Sequence, residues 1–230
     1  MKIIAHRGLY DKVVAENTYL AISRALNNNS LVGVEIDVRL TKDNKIVVIH
    51  DKNISRTSNG FGIVENMTLS ELQKYNFGSK KFYQTIPTLD KVLDIRTSKI
   101  ILIEIKINRN VNNFYKSLIT ILEKYKNKNI YLMSFNKKII NKLRKKFKYY
   151  KVGFIYLTNK INYNYKNDFY VINHNFINKK QINTLFKKNK KVFFWTLNKF
   201  NELQKINSQI KNIDAYYICS VYKIIHYLHN

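Results

Sequence analysis

The chain has 230 residues, 45% of them hydrophobic and 13% aromatic, and carries a formal net charge of +26. That length and apolar share exclude a disordered chain and fit one globular domain, residues 1–230, with a substantial core. The single cysteine, Cys219, excludes a disulfide framework and a cysteine zinc cluster.

The amino terminus, Met1-Lys2-Ile3-Ile4-Ala5-His6-Arg7, has no long apolar leader, and no run reaches the length of a membrane span. A cytoplasmic protein is expected. From there, short apolar runs rich in β-branched residues recur at 3–4, 34–38, 46–49, 100–105, 130–133, 152–156, 169–172, 192–195 and 216–218. Apolar on both faces, they suit the buried strands of a mainly parallel sheet. Amphipathic stretches of helical period lie between most of them, at 18–27 (Leu20, Ala21, Ile22 and Ala25 on one side) and at 114–125 (Leu118, Ile119 and Leu122).

Strand alternating with helix about eight times predicts an α/β chain, a single (β/α)8 TIM barrel. Two features depart from that pattern. Asp37 and Ile46 are too close for a crossover helix, so Thr41-Lys42-Asp43-Asn44 reads as a turn. Nine candidate strands stand where a barrel has eight, and 169–172 is taken as the loop or short extra strand. Residues 52–88 form a long connection, a small insertion after the third strand, with a short helix capped by Thr68 or Ser70.

Polar residues at the ends of the apolar strands carry the chemistry, because barrel enzymes collect their catalytic groups at the carboxyl ends of several strands. Glu35 and Asp37 lie two apart, so both leave one face of a strand, and Glu104 ends another apolar strand. Buried carboxylates need a cation or strong partners, and three oxygen ligands suit Mg²⁺ or Ca²⁺ better than zinc. Salt bridges to Arg7, Arg39 or Lys106 are the plain alternative. His6 and His50 each close a strand, and as a pair beside carboxylates they suggest a general acid and base. Arg7 can grip a phosphate bidentately, and Lys106, on the face of Glu104, adds a point charge.

Taken in order, His6-Arg7-Gly8, Glu16-Asn17-Thr18, Glu35-Ile36-Asp37-Val38, Thr41-Lys42-Asp43, His50-Asp51, Ile86-Pro87-Thr88-Leu89, Glu104-Ile105-Lys106, Ser134-Phe135 and Trp195-Thr196-Leu197-Asn198 resemble the motif series of the glycerophosphodiester phosphodiesterases. The resemblance implies a barrel of the phosphoinositide phospholipase C type and a cation held by Glu35, Asp37 and Glu104. It also implies His6 and His50 as acid and base, phosphate contacts from Arg7 and Lys106, and Trp195 beside the glycerol. The implied reaction is metal-dependent hydrolysis of a small-molecule glycerophosphodiester to glycerol 3-phosphate and an alcohol. A phospholipase D-like lyase of related fold is the neighbouring alternative. The series departs from the family at Asp90, where glutamate is usual, and at Asp214-Ala215-Tyr216-Tyr217-Ile218-Cys219-Ser220, which carries larger residues for glycine and a serine for the acid.

Charge supports a second class of reading. Residues 1–115 hold 17 basic and 11 acidic groups, and residues 116–230 hold 24 basic and 4 acidic. Such a half fits a nucleic-acid or anionic-membrane binder with a vestigial site. It equally fits the Lys-, Asn- and Ile-rich output of AT-rich codons, with Lys145-Lys146 and Lys187-Lys188 as solvated helix faces. The expectation favours an enzyme, with no nucleic acid as primary partner and at most weak association with an anionic membrane.

Overall fold

The structure is a computed structural model that describes residues 1–107, 109–158, 160–163, 166–210 and 214–224. Eight parallel strands close a barrel in the order β1 (Ile3–His6), β2 (Gly33–Leu40), β4 (Ile100–Ile105), β5 (Ile130–Ser134), β6 (Lys151–Tyr156), β7 (Phe169–Asn173), β8 (Lys191–Leu197) and β9 (Ala215–Cys219), which returns to β1. The expected TIM barrel is therefore present. The supernumerary strand is β3 (Ile46–Val48), which pairs antiparallel with the end of β2. This corrects the expectation for 169–172: β7 is a full barrel strand, and the short link after Asp37 marks the extra one.

Helices α1 (Tyr19–Asn27), α3 (Leu89–Leu93), α4 (Val111–Leu122), α5 (Lys137–Lys146), α6 (Lys179–Lys187) and α7 (Phe200–Gln209) cover the barrel, and α2 (Leu69–Leu72) lies in the 52–88 connection. The Thr18 hydroxyl accepts from the Ala21 amide at 3.2 Å and starts α1. Thr68 and Glu71 form a reciprocal capping box that starts α2. The connection packs against the β3 segment in an apolar cluster that joins Val47 and Ile49 to Ile54, Val64, Leu72, Phe77 and Ile86. Lys145, Lys146, Lys187 and Lys188 are exposed, as solvated helix faces are.

β2 is buried along its whole length because it separates two cores. Val34, Ile36, Val38 and Leu40 pack outward under the helices, leaving Glu35 and Asp37 for the barrel interior. Inside, Phe169 stands 5.3 Å from Tyr131 and 5.0 Å from Phe193, and Tyr216 stacks on Phe193 at 4.6 Å. A Cβ on Gly153 would fall 2.5 Å from the Phe169 ring, so glycine on β6 makes room for aromatics on its neighbours. Tyr216 thus fills space inside the barrel, while the Tyr217 hydroxyl donates to Asn207 Oδ1 at 2.7 Å. Ser220, which stands where the resembled motif series carries an acid, donates to Asn198 Oδ1 at 2.7 Å and accepts from the Tyr10 hydroxyl at 3.2 Å. Buried Cys219 has its thiol pushed up to about 12 by burial, and it packs as a small hydrophobe.

Candidate active site

Strand register assembles the site. His6 on β1 stands opposite Glu35 on β2, and Asp37 stands opposite Glu104 on β4. All four therefore meet at the carboxyl ends of three adjacent strands. Ligand oxygens of Glu35, Asp37 and Glu104 lie within 4.8 Å of one another, inside the span of about 4.6–5.2 Å between opposite ligands of a cation bonded at about 2.3–2.6 Å.

The chain then turns sharply at Arg7 and Gly8, with φ of 58° and 90°. A Cβ at Gly8 would fall 2.7 Å from the Ala21 carbonyl carbon, so only glycine lets α1 pack this close to the turn. The turn aims the Arg7 amide at Glu35 Oε2, 3.1 Å away. The Arg7 guanidinium bonds Glu16 Oε1 at 2.8 Å and lies 3.3 Å from Asp37 Oδ2. Asn17 is buried and donates to the same Asp37 oxygen at 2.9 Å. Lys106 reaches Glu104 Oε1 at 2.5 Å and Asp37 Oδ1 at 3.3 Å.

Salt bridges of the kind weighed from sequence are thus present, but they do not neutralise the cluster. Three carboxylates face Arg7 and Lys106, and among the described residues no lysine or arginine lies within ion-pair distance of Glu35. The basic side chain that does lie within 4 Å of it is His6, at 3.9 Å through Nε2, and burial keeps that imidazole neutral. Among the described residues Arg39 makes no ion pair; its Nε donates to the His50 carbonyl at 2.8 Å.

The titration behaviour follows from this imbalance. Burial, then Asp37 and Glu104, pushes Glu35 well above the ordinary carboxyl range. Burial and Asp37 push Glu104 up to about 7, against the pull of Lys106. Burial acts on Asp37 too, yet Lys106 and Arg7 outweigh it and hold that carboxyl below its usual value. Carboxyls raised by one another's charge form a site short of positive charge, and a divalent cation fits that deficit.

His6 is driven down to about 3 by burial and then by Arg7, and its Nδ1 is buried without a hydrogen-bond partner. His50 is less enclosed, and its Nδ1 lies 2.6 Å from Asp51 Oδ1. Burial lowers its pKa, with Asp37 and Asp51 opposing. Arg56 bonds Asp51 Oδ2 at 2.5 Å and Glu16 Oε1 at 2.6 Å, linking both histidine-bearing segments. Trp195 lies in the barrel mouth beside His6, Glu35 and Glu104, its ring edge-on to Phe135 at 5.8 Å and its Nε1 buried without a partner.

Every residue singled out for the site is therefore brought to one end of the barrel. Sequence reasoning assigned no role to Asn17 and Glu16, although both lie in a motif of the series, and it missed Arg56. The one available signal for Arg56 was an arginine placed five residues after Asp51 in an otherwise lysine-rich chain.

The sequence profile of the Glycerophosphoryl diester phosphodiesterase family matches residues 6–213. The chain belongs to this family. A glycerophosphodiester phosphodiesterase of Caldanaerobacter subterraneus subsp. tengcongensis is 36% identical over 162 residues, 67% of this chain and 66% of that protein. One of Bacillus altitudinis is 42% identical over 113 residues, 46% of this chain and 45% of its own. The alignments thus span less than two thirds of these relatives' lengths. The glycerophosphodiester phosphodiesterase of Thermotoga maritima superposes with a TM-score of 0.74 at 28% identity, covering 98% of this chain and 97% of its own. An Oleispira antarctica phosphodiesterase, solved in complex with the product sn-glycerol 3-phosphate, shares the fold with a TM-score of 0.88 at 22% identity, covering 100% and 96%. Among the described residues no helix is long and apolar enough to cross a membrane.

Proposed function

We propose that the chain, acting as one barrel domain with 52–88 as its insertion, hydrolyses glycerophosphodiesters to glycerol 3-phosphate and an alcohol. The observation that carries this reading is the meeting of the Glu35, Asp37 and Glu104 cluster with His6 and His50 at one barrel mouth. Glu35, Asp37 and Glu104 would hold Mg²⁺ or Ca²⁺. When bound, the cation supplies positive charge for the phosphate oxygens as negative charge develops on them.

The side chains perform the rest. Arg7 and Lys106 hold the phosphate, Arg7 through its planar fork and Lys106 as a point charge. Trp195 offers an apolar wall for the glycerol carbons. The Asp51 carboxylate accepts from His50 Nδ1–H, which orients the ring and opposes part of the burial-driven fall in its pKa, so His50, less enclosed than His6, is the acid that gives a proton to the departing alcohol oxygen. His6 then serves as the base, taking a proton from the attacking oxygen. A P–O bond to that oxygen forms as the P–O bond to the alcohol breaks.

The test is stoichiometric release of sn-glycerol 3-phosphate and choline from glycerophosphocholine by the purified chain. A cyclic phosphate as the end product would assign the lyase reaction instead, and no turnover of any glycerophosphodiester with added Mg²⁺ or Ca²⁺ would overturn the proposal.

A further inference from the structure

Beside the metal-ligand cluster, the barrel mouth opens into a cavity of about 690 Å³ between β2, β4, β5 and the start of α5. Its lining is strongly basic. Arg39, Lys106, Lys137 and Lys138 border it, and Glu104, already engaged by Lys106, is the one carboxylate among the described lining residues. Neutral polar groups come from Ser134 and Asn136, and apolar walls from Phe135 and Phe154.

Two further features point to an anion in this space. Arg39 is 8% exposed, and its Nη1 is buried without a hydrogen-bond partner while the side chain lines the cavity. Its Nε is fixed on the His50 carbonyl, and Asp37, Glu65, Asp51 and Glu104 act on it through space. A buried guanidinium with an unmet donor is costly unless a ligand completes it. Secondly, α5 begins at the cavity wall: Asn136 caps the amides of Lys138 and Ile139, which brings the positive end of a ten-residue helix to the same space.

We infer that this cavity is a head-group subsite selective for glycerophosphodiesters whose alcohol carries a second phosphate, held by Arg39, Lys137 and Lys138. The inference rests on the phosphodiesterase reading and adds its substrate class. The scissile phosphate sits at Arg7, Lys106 and the carboxylate cluster, and the head group extends past Lys106 toward α5. A second phosphate there meets three cations besides Lys106. A choline head meets the same cations with a like charge, which is unfavourable in a partly enclosed site. Phe135 and Phe154 wall the cavity, and Lys137 lies over the Phe154 ring at 5.7 Å.

The test compares three substrates: 1,3-bis(glycerophospho)glycerol with a second phosphate, glycerophosphoserine with a carboxylate, and glycerophosphocholine with a cation. kcat/KM for the first should exceed that for the choline diester by about 10-fold or more, with the serine diester between them. The Lys137→Glu/Lys138→Glu variant should cut that ratio by at least about 10-fold. Acidic residues suit the first turn of α5, so the helix is not weakened by the change. Calorimetric binding of the bisphosphate and choline diesters in EDTA should show the same preference and the same loss without needing turnover, so a failure of the hydrolysis reading is told apart from a failure of the subsite. A wild-type ratio within about 2-fold of unity in both assays, or a ratio unmoved by the double variant, would overturn the subsite. Preference for the serine diester over the bisphosphate would also overturn the assignment to a second phosphate.

Discussion

Replacing Glu104 by glutamine should stabilise the metal-free protein at neutral pH and destabilise the metal-loaded one. Burial and the charge of Asp37 hold the Glu104 carboxyl at about 7, above an ordinary value of 4.5. A carboxyl raised in this direction contributes stability that is fully present below pH 4.5 and lost as pH rises through about 7. At roughly 1.4 kcal/mol per pH unit the loss is about 3 kcal/mol. Glu35 changes stability in the same direction, and His6, held neutral by burial, changes it in the opposite one. The wild type alone therefore mixes the contributions, and the difference between wild type and Glu104→Gln reads Glu104 together with the part of the Glu35 shift that its charge causes. Urea denaturation in EDTA should show the two proteins within about 1 kcal/mol at pH 4.5, diverging until the variant is more stable by about 3 kcal/mol at pH 8. With Mg²⁺ or Ca²⁺ near 1,000 times its dissociation constant the wild type should gain about 4.1 kcal/mol, enough to reverse the order at pH 8, and the variant, lacking a ligand, much less. A difference independent of pH in EDTA, or the same ordering of the two proteins with and without cation, would refute the electrostatic account.

Three other outcomes are expected. His6→Ala and His50→Ala should each lower kcat by about 10²-fold or more, with a double variant well short of the product of the two, because acid and base act as one unit; steady-state kinetics of the three proteins decides it. Asp51→Asn should lower kcat about 10-fold or more with little change in KM and shift the acidic-histidine limb of the pH profile to lower pH, since it removes the carboxylate that favours protonated His50; an unmoved limb would detach Asp51 from His50. Gly8→Ala should cost about 3 kcal/mol in chemical denaturation, combining a left-handed φ with a contact of 2.7 Å to the Ala21 backbone.

Much of this molecule is legible in its sequence because its strands are buried on both faces. Continuous apolar runs then mark each strand, and a polar residue at a run's end stands out as a member of the mouth. Glu35, Asp37 and Glu104 were readable for that reason, as were His6 and Lys106. β3 was harder: 46–49 has the same apolar character as a barrel strand, and only the short turn after Leu40 distinguishes it. β7 looked expendable because the count of runs exceeded eight, although Phe169 and Val171 fill the barrel as its neighbours do. Arg56 is not legible as a site residue, since its contacts depend on where the 52–88 connection comes to rest in space, and Arg39, read as a salt-bridge partner of the carboxylates, instead donates to the His50 carbonyl. The basic carboxyl half alone suggested a binder, but the intact carboxylate and histidine constellation argues against a vestigial site.

The most direct test of the account is glycerophosphocholine hydrolysis by the purified chain after exhaustive treatment with EDTA, followed by return of Mg²⁺ or Ca²⁺. Turnover should fall to background in EDTA and return with the cation, and Glu35→Gln should need far more cation to recover while remaining folded. Full turnover in excess EDTA, or a Glu35→Gln protein that recovers at the wild-type cation concentration, would contradict it.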